Sequence, residues 1–114
     1  MQEVLNELRM YEYLAENFET DNYPDASQEE IQQSKYEYMY LRDLADFLEE
    51  MLKSGKYSEE EMISKLEEYF QKRYLKFREN SKVSIINKKK ATILKNNAFK
   101  QVDGILKNIF TEVY

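Results

Sequence analysis

The chain contains no cysteine and no histidine. The first absence removes disulfides, thiol nucleophiles and thiolate metal sites together. The second removes the commonest zinc ligand and the side chain that most often acts as a general base near neutral pH. Proline occurs once and glycine twice in 114 residues. A β-rich fold needs many tight turns, each drawing on Gly, Pro, Asn or Asp, so this scarcity points to an all-α protein. No apolar run approaches the roughly 20 residues of a membrane-spanning helix. The opening MQEVLNELRM turns acidic at Glu3 and lacks the basic-then-apolar order of a secretory signal. A soluble cytoplasmic protein, one domain over residues 1–114, is the expectation.

Catalytic machinery is hard to assemble from what remains. The paired acids Glu49-Glu50 and Glu67-Glu68 are sequence neighbours and point in different directions on a helix. The Glu-x-x-His pairs of carboxylate metal sites in helix bundles cannot exist here. There is neither a glycine-rich phosphate loop nor a nucleophile elbow. The sequence therefore predicts no enzyme, no cofactor and no metal.

What is present is helical periodicity. Four main helices are expected in a small antiparallel bundle, at about 2–20, 28–54, 59–80 and 84–112, the last bent or broken near its start. In the first, Val4, Leu8, Tyr11, Ala15 and Phe18 recur at helical spacing, with Leu14 widening the stripe. The segment 20–26 holds the sole proline among turn formers and reads as a loop. Ser27 with Glu30, and Ser58 with Glu61, are capping boxes, and Gly55 suits the left-handed residue after a helix end. The helix between Ser27 and Gly55 would be roughly 40 Å long. Its apolar residues, from Tyr36 to Leu52, cover an arc of roughly 200°, which calls for two or more neighbours. The third helix presents Met62, Ile63, Leu66, Tyr69, Phe70, Tyr74 and Phe77. The fourth presents Ala91, Leu94, Ala98, Val102, Ile105, Leu106, Ile109 and Val113. Gly104, inside that helix at a cost of about 1 kcal/mol against Ala, suggests close approach of a neighbour.

Charge is segregated. Residues 1–70 hold 19 acidic and 6 basic side chains, and residues 71–114 hold 3 and 11. One carboxylate and one guanidinium fall in the middle of apolar faces: Glu37 on the second helix and Arg73 on the third. These two either form a largely buried ion pair that fixes helix register or reach past the core edge to water. Ile85, Ile86 and Ile93 project away from the fourth helix's stripe and coincide with Lys82, Lys88, Lys89 and Lys90. That basic and apolar surface, at the junction of helices three and four, is the expected partner-binding site, because a purely structural bundle does not require it.

Three functional classes fit. The first is a non-enzymatic protein-binding accessory factor: an inhibitor, an antitoxin-like or immunity-like partner, or an adaptor of bacterial or phage type. The second is a nucleic-acid binder using the lysines of segment 72–100 against phosphates. Its rings fall mostly on apolar faces, and lysine outnumbers base-reading arginine, which both weigh against it. The third is a self-associating structural module, a homodimer with the isoleucines in its interface. Tyr13, Tyr23, Tyr57 and Tyr114 lie off the stripes or in loops and could serve a binding surface or a bundle rim.

Overall fold

Two serines and a glycine set the limits of the central helix and its successor. The computed structural model describes residues 1–18, 25, 27–80 and 86–113, with the side chains of 73–80, 86–91, 112 and 113 outside the description. It contains four helices packed together: α1 (Gln2–Glu16), α2 (Gln28–Ser54), α3 (Glu59–Asn80) and α4 (Ile86–Val113). Among the described residues there is no strand. At the start of α2, Ser27 has extended backbone and its Oγ accepts from the Glu30 N–H at 3.2 Å. The Ser27 hydroxyl also donates to the Glu30 carboxylate at 3.2 Å. Ser58 repeats the arrangement before α3, accepting from the Glu61 N–H at 3.2 Å. Each box supplies an acceptor for a first-turn N–H that has no partner within the helix.

Gly55, with φ at 65°, closes α2 in the left-handed region. The short Gly55–Ser58 link then returns the chain alongside α2, which makes α2 and α3 neighbours. The first helix ends earlier than its apolar spacing suggests. Asn17 ends it: both its backbone N–H and its side-chain amide reach the Tyr13 carbonyl, at 3.1 and 2.9 Å. A side chain that takes the carbonyl of the fourth residue before it competes with continued helix at that point.

α2 packs against all three other helices, and α4 does the same, whereas α1 and α3 do not pack on one another among the described residues. The buried side chains explain this arrangement. Tyr40, Leu41, Leu44, Ala45, Leu48 and Met51 of α2 lie in one core. Val4, Leu5 and Leu8 enter it from α1, and Met62, Leu66 and Phe70 from α3. From α4 come Ala98, Phe99, Val102, Leu106 and Ile109. Three rings tie α2, α3 and α4 together: Tyr40 meets Phe70 edge-on at 6.4 Å, and Phe70 stacks on Phe99 at 4.2 Å. Such ring pairs add about 0.5–1.5 kcal/mol beyond the area they bury.

Two expectations need correction. Leu14 does not widen the core stripe of α1; it is 43% exposed, and Leu5 is buried instead. Nine residues apart on a helix is about 180° of rotation, so one docked face can bury only one of the two. Gly104 has no close neighbour among the described residues either, because a Cβ built there would meet none of them within 4 Å. Its missing side chain therefore carries only the propensity penalty of glycine inside a helix.

The two glycines should respond oppositely to alanine. Gly104→Ala is expected to raise unfolding free energy by about 0.5–1 kcal/mol. Gly55→Ala should lower it by about 1–2 kcal/mol, the cost of a left-handed residue with a Cβ. Urea denaturation followed by circular dichroism measures both.

Candidate functional site

Three polar features and one cleft stand out from the packing just described. The first feature is a charge cluster between α1 and α2. Arg9 is the only basic residue before Lys35. It donates to Asp46 and to Glu49 of α2, each at 2.8 Å, and to Glu12 of its own helix at 3.1 Å. Lys53 approaches Glu49 from the other side at 3.7 Å. Partial burial works against the Arg9 charge, but hydrogen bonds to Asp46 and Glu12, and their negative charge, outweigh it and raise its pKa. Glu12 keeps only 14% of its side-chain exposure, so Arg9 neutralises a carboxylate that packing has largely removed from water. This cluster docks α1 on α2. Its readable trace in the sequence is the isolation of Arg9 among acids.

The second feature is Ser34, the one buried polar residue among the described side chains. Its hydroxyl donates to the Ala15 carbonyl at 2.8 Å. That carbonyl belongs to the last turn of α1, where backbone acceptors run out of intrahelical donors. Ser34 therefore fastens the end of α1 to α2 at the opposite extremity from the Gly55 turn.

Glu37 is the third. It is half-buried, three residues after Ser34 and four before Leu41, and burial pushes its pKa up to about 7. Its proposed partner Arg73 lies on α3, with its side chain outside the described residues. Among the described side chains Glu37 has no ion-pair partner.

The cleft lies between α2 and α3, beside the Gly55 turn, and encloses about 500 Å³. Its apolar walls are Phe47, Met51, Tyr57 and Tyr69. Phe47 and Tyr69 stack nearly parallel, 4.7 Å apart with 9° between their planes. The rim carries Glu50 from α2 and Lys65, Glu68 and Lys72 from α3. Lys72 lies 2.9 Å from Glu68, and this hydrogen bond holds the Glu68 carboxyl below its usual range. The ammonium of Lys65 sits over the Tyr57 ring, 5.1 Å from its centre. In the sequence Tyr57 is marked by its place off the apolar stripes in the inter-helix link, which does not by itself imply a cleft.

The expected partner-binding surface is placed only in part. Lys82 and Ile85 lie outside the described residues. Ile86, Lys88, Lys89 and Lys90 belong to the first turns of α4, with side chains outside the description. Ile93 is described and is 50% exposed, as its off-stripe position requires. A second set of exposed apolar side chains, Met10, Tyr13 and Leu14, lies on α1. At spacings of three and four these form one patch. Tyr23 and Tyr114 are outside the described residues. No described helix is long and apolar enough to cross a membrane. No family model, curated protein or solved structure matches the chain.

The raised pKa of Glu37 has a definite sign. Its ordinary value is 4.5 and its value in the folded chain is about 7, so folding takes up a proton between those limits. Stability should fall as pH rises across that interval and level off above it. Glu37→Gln should be more stable than the parent at pH 8, on the order of 1 kcal/mol after solvent screening, and equal to it below pH 4. A dominant Glu37–Arg73 pair would reverse this, with Glu37→Gln the less stable at pH 8. Urea titrations at a series of pH values distinguish the two.

Proposed function

We propose that the chain is a non-enzymatic protein-binding accessory factor of the inhibitor, antitoxin, immunity or adaptor type. The observation that carries this reading is the set of large apolar side chains left at the surface of a bundle whose four helices share one core. Met10, Tyr13 and Leu14 on α1 and Ile93 on α4 are each 43–60% exposed. Grouped apolar exposure on a small soluble domain marks an interaction surface more often than scattered exposure does. Methionine and tyrosine are among the residues enriched at interfaces. Ile93 adjoins the lysines that the sequence sets at the start of α4, so the favoured contact region runs over Lys82, Ile85, Ile86, Lys88, Lys89, Lys90 and Ile93.

Affinity capture from native cells tests the reading with the parent chain, an Ile93→Asp variant and a variant with Lys88, Lys89 and Lys90 changed to glutamate. A protein-binding factor recovers one protein in near-stoichiometric amount, with modest salt dependence, and loses it with Ile93→Asp. Recovery of nucleic acid instead, released by about 10³-fold or more in affinity between roughly 50 and 200 mM salt, would assign the chain to the polyanion binders. A concentration-dependent dimer with no other component would assign it to the self-associating modules.

A further inference from the structure

We infer that the outer face of α1 docks a helix of a partner protein that carries basic side chains and an apolar stripe. This names the partner's chemistry for the protein-binding reading above and rests on it. Glu3, Glu7, Met10 and Leu14 follow one another at spacings of four, three and four, which sets them in one row along α1. Tyr13 adjoins Met10 at a spacing of three. The core takes Val4, Leu5 and Leu8 from the other side of the helix. Met10 is 45% exposed, Tyr13 60% and Leu14 43%. The face therefore has an acidic end over its first turns and an apolar end over its last.

The charge of this face has one sign. α1 carries Glu3, Glu7, Glu12 and Glu16 against Arg9 alone. Arg9 is spent on Asp46 and Glu49 of α2 and on Glu12. The amino-terminal ammonium lies against Glu59 of α3. Lys35 and Arg42, the next cations along the chain, belong to α2 and pair with no carboxylate of α1. Glu3, Glu7 and Glu16 have no ion-pair partner among the described residues. Nucleic acid or an acidic protein surface would set negative charge against Glu3 and Glu7. A purely apolar surface would cover the half-buried Glu7 further without supplying a partner, which is unfavourable. Lysine or arginine beside Glu3 and Glu7, with apolar side chains over Met10, Tyr13 and Leu14, satisfies both ends. The occupant is a helix, because the backbone of α1 is bonded within itself and offers no edge to a strand. A row at helical spacing is instead matched by the groove of a second helix.

The test is a titration of the full chain with alanine-based peptides of about 15 residues, a length at which such a helix begins to hold in water. The probe carries leucines in one row over its first two turns and lysines in the same row over its last two. Lysines in the last turns suit the helix dipole, and an antiparallel approach brings them beside Glu3 and Glu7. Two control peptides replace lysine by neutral acetyl-lysine and by glutamate. The lysine peptide should move the NMR signals of Met10, Tyr13 and Leu14 along a saturating curve. Acetyl-lysine in the peptide, or Glu3→Gln with Glu7→Gln in the chain, should each weaken binding about fivefold, the effect of two exposed ion pairs. Tyr13→Ala should weaken it about tenfold, the loss of a central ring contact. Unchanged signals of Leu44 and Val102 would verify that these variants keep the fold. No saturation, equal binding of the acetyl-lysine peptide, saturation by the glutamate peptide, or no effect of Tyr13→Ala overturns the assignment. Movement of the same signals with chain concentration alone also overturns it, in favour of a second copy on this face. Capture of a cellular protein by a chain that ignores the lysine peptide refutes the α1 assignment alone. Peptide binding without any cellular protein partner refutes the broader functional reading.

Discussion

The structure depends on the burial of one wide face of α2. Tyr40, Leu41, Leu44, Ala45, Leu48 and Met51 are nearly or fully removed from water, and three different helices cover them. At about 1.5–3 kcal/mol for each large apolar side chain, this seam is a large favourable contribution. It also dictates geometry. A helix with such a face has to be central, and α1 and α3 then flank it without needing contact with each other. The remaining polar contacts refine that placement: Arg9 binds Asp46 and Glu49 along one side, and Ser34 holds the end of α1.

Local chemistry made much of this legible in the sequence. The caps at Ser27 and Ser58 and the left-handed Gly55 each depend on residues within a few positions of one another, so their identity suffices. The width of the α2 face was equally plain, because it depends on angular spacing along one helix. What failed was anything that depends on how a helix is rotated after docking. The Val4–Leu8 stripe of α1 was evident, yet spacing alone could not decide whether Leu5 or Leu14 would join it. Phe99 sits outside the stripe drawn for α4 and is buried because Phe70 reaches it from α3. Gly104 illustrates a third kind of error. A glycine inside a helix suggested a close neighbour, and only the packing reveals open space there.

The candidate sites divide in the same way. Glu37 was picked out because a carboxylate in the middle of an apolar face is conspicuous, and its burial now raises its pKa to about 7. Ile93 was picked out because it leaves the stripe of α4, and it is half in water. The Arg9 cluster and the aromatic cleft were not foreseen, since each is assembled from two helices brought together by the core. The acidic first half of the chain is divided between tasks. Part of it holds Arg9, and part of it, Glu50 and Glu68, rims the cleft opposite Lys65 and Lys72.

The role of α2 as the common support of the other three helices is most directly tested by native-state hydrogen exchange on Leu44→Ala. Leu44 is fully buried in the α2 seam, and truncation there should remove about 2–5 kcal/mol. If one seam holds all four helices, the slowest amides of α1, α3 and α4 should lose protection together with those of α2, by the same free energy. Retention of parental protection in α1, α3 or α4 while α2 loosens would contradict a single shared core.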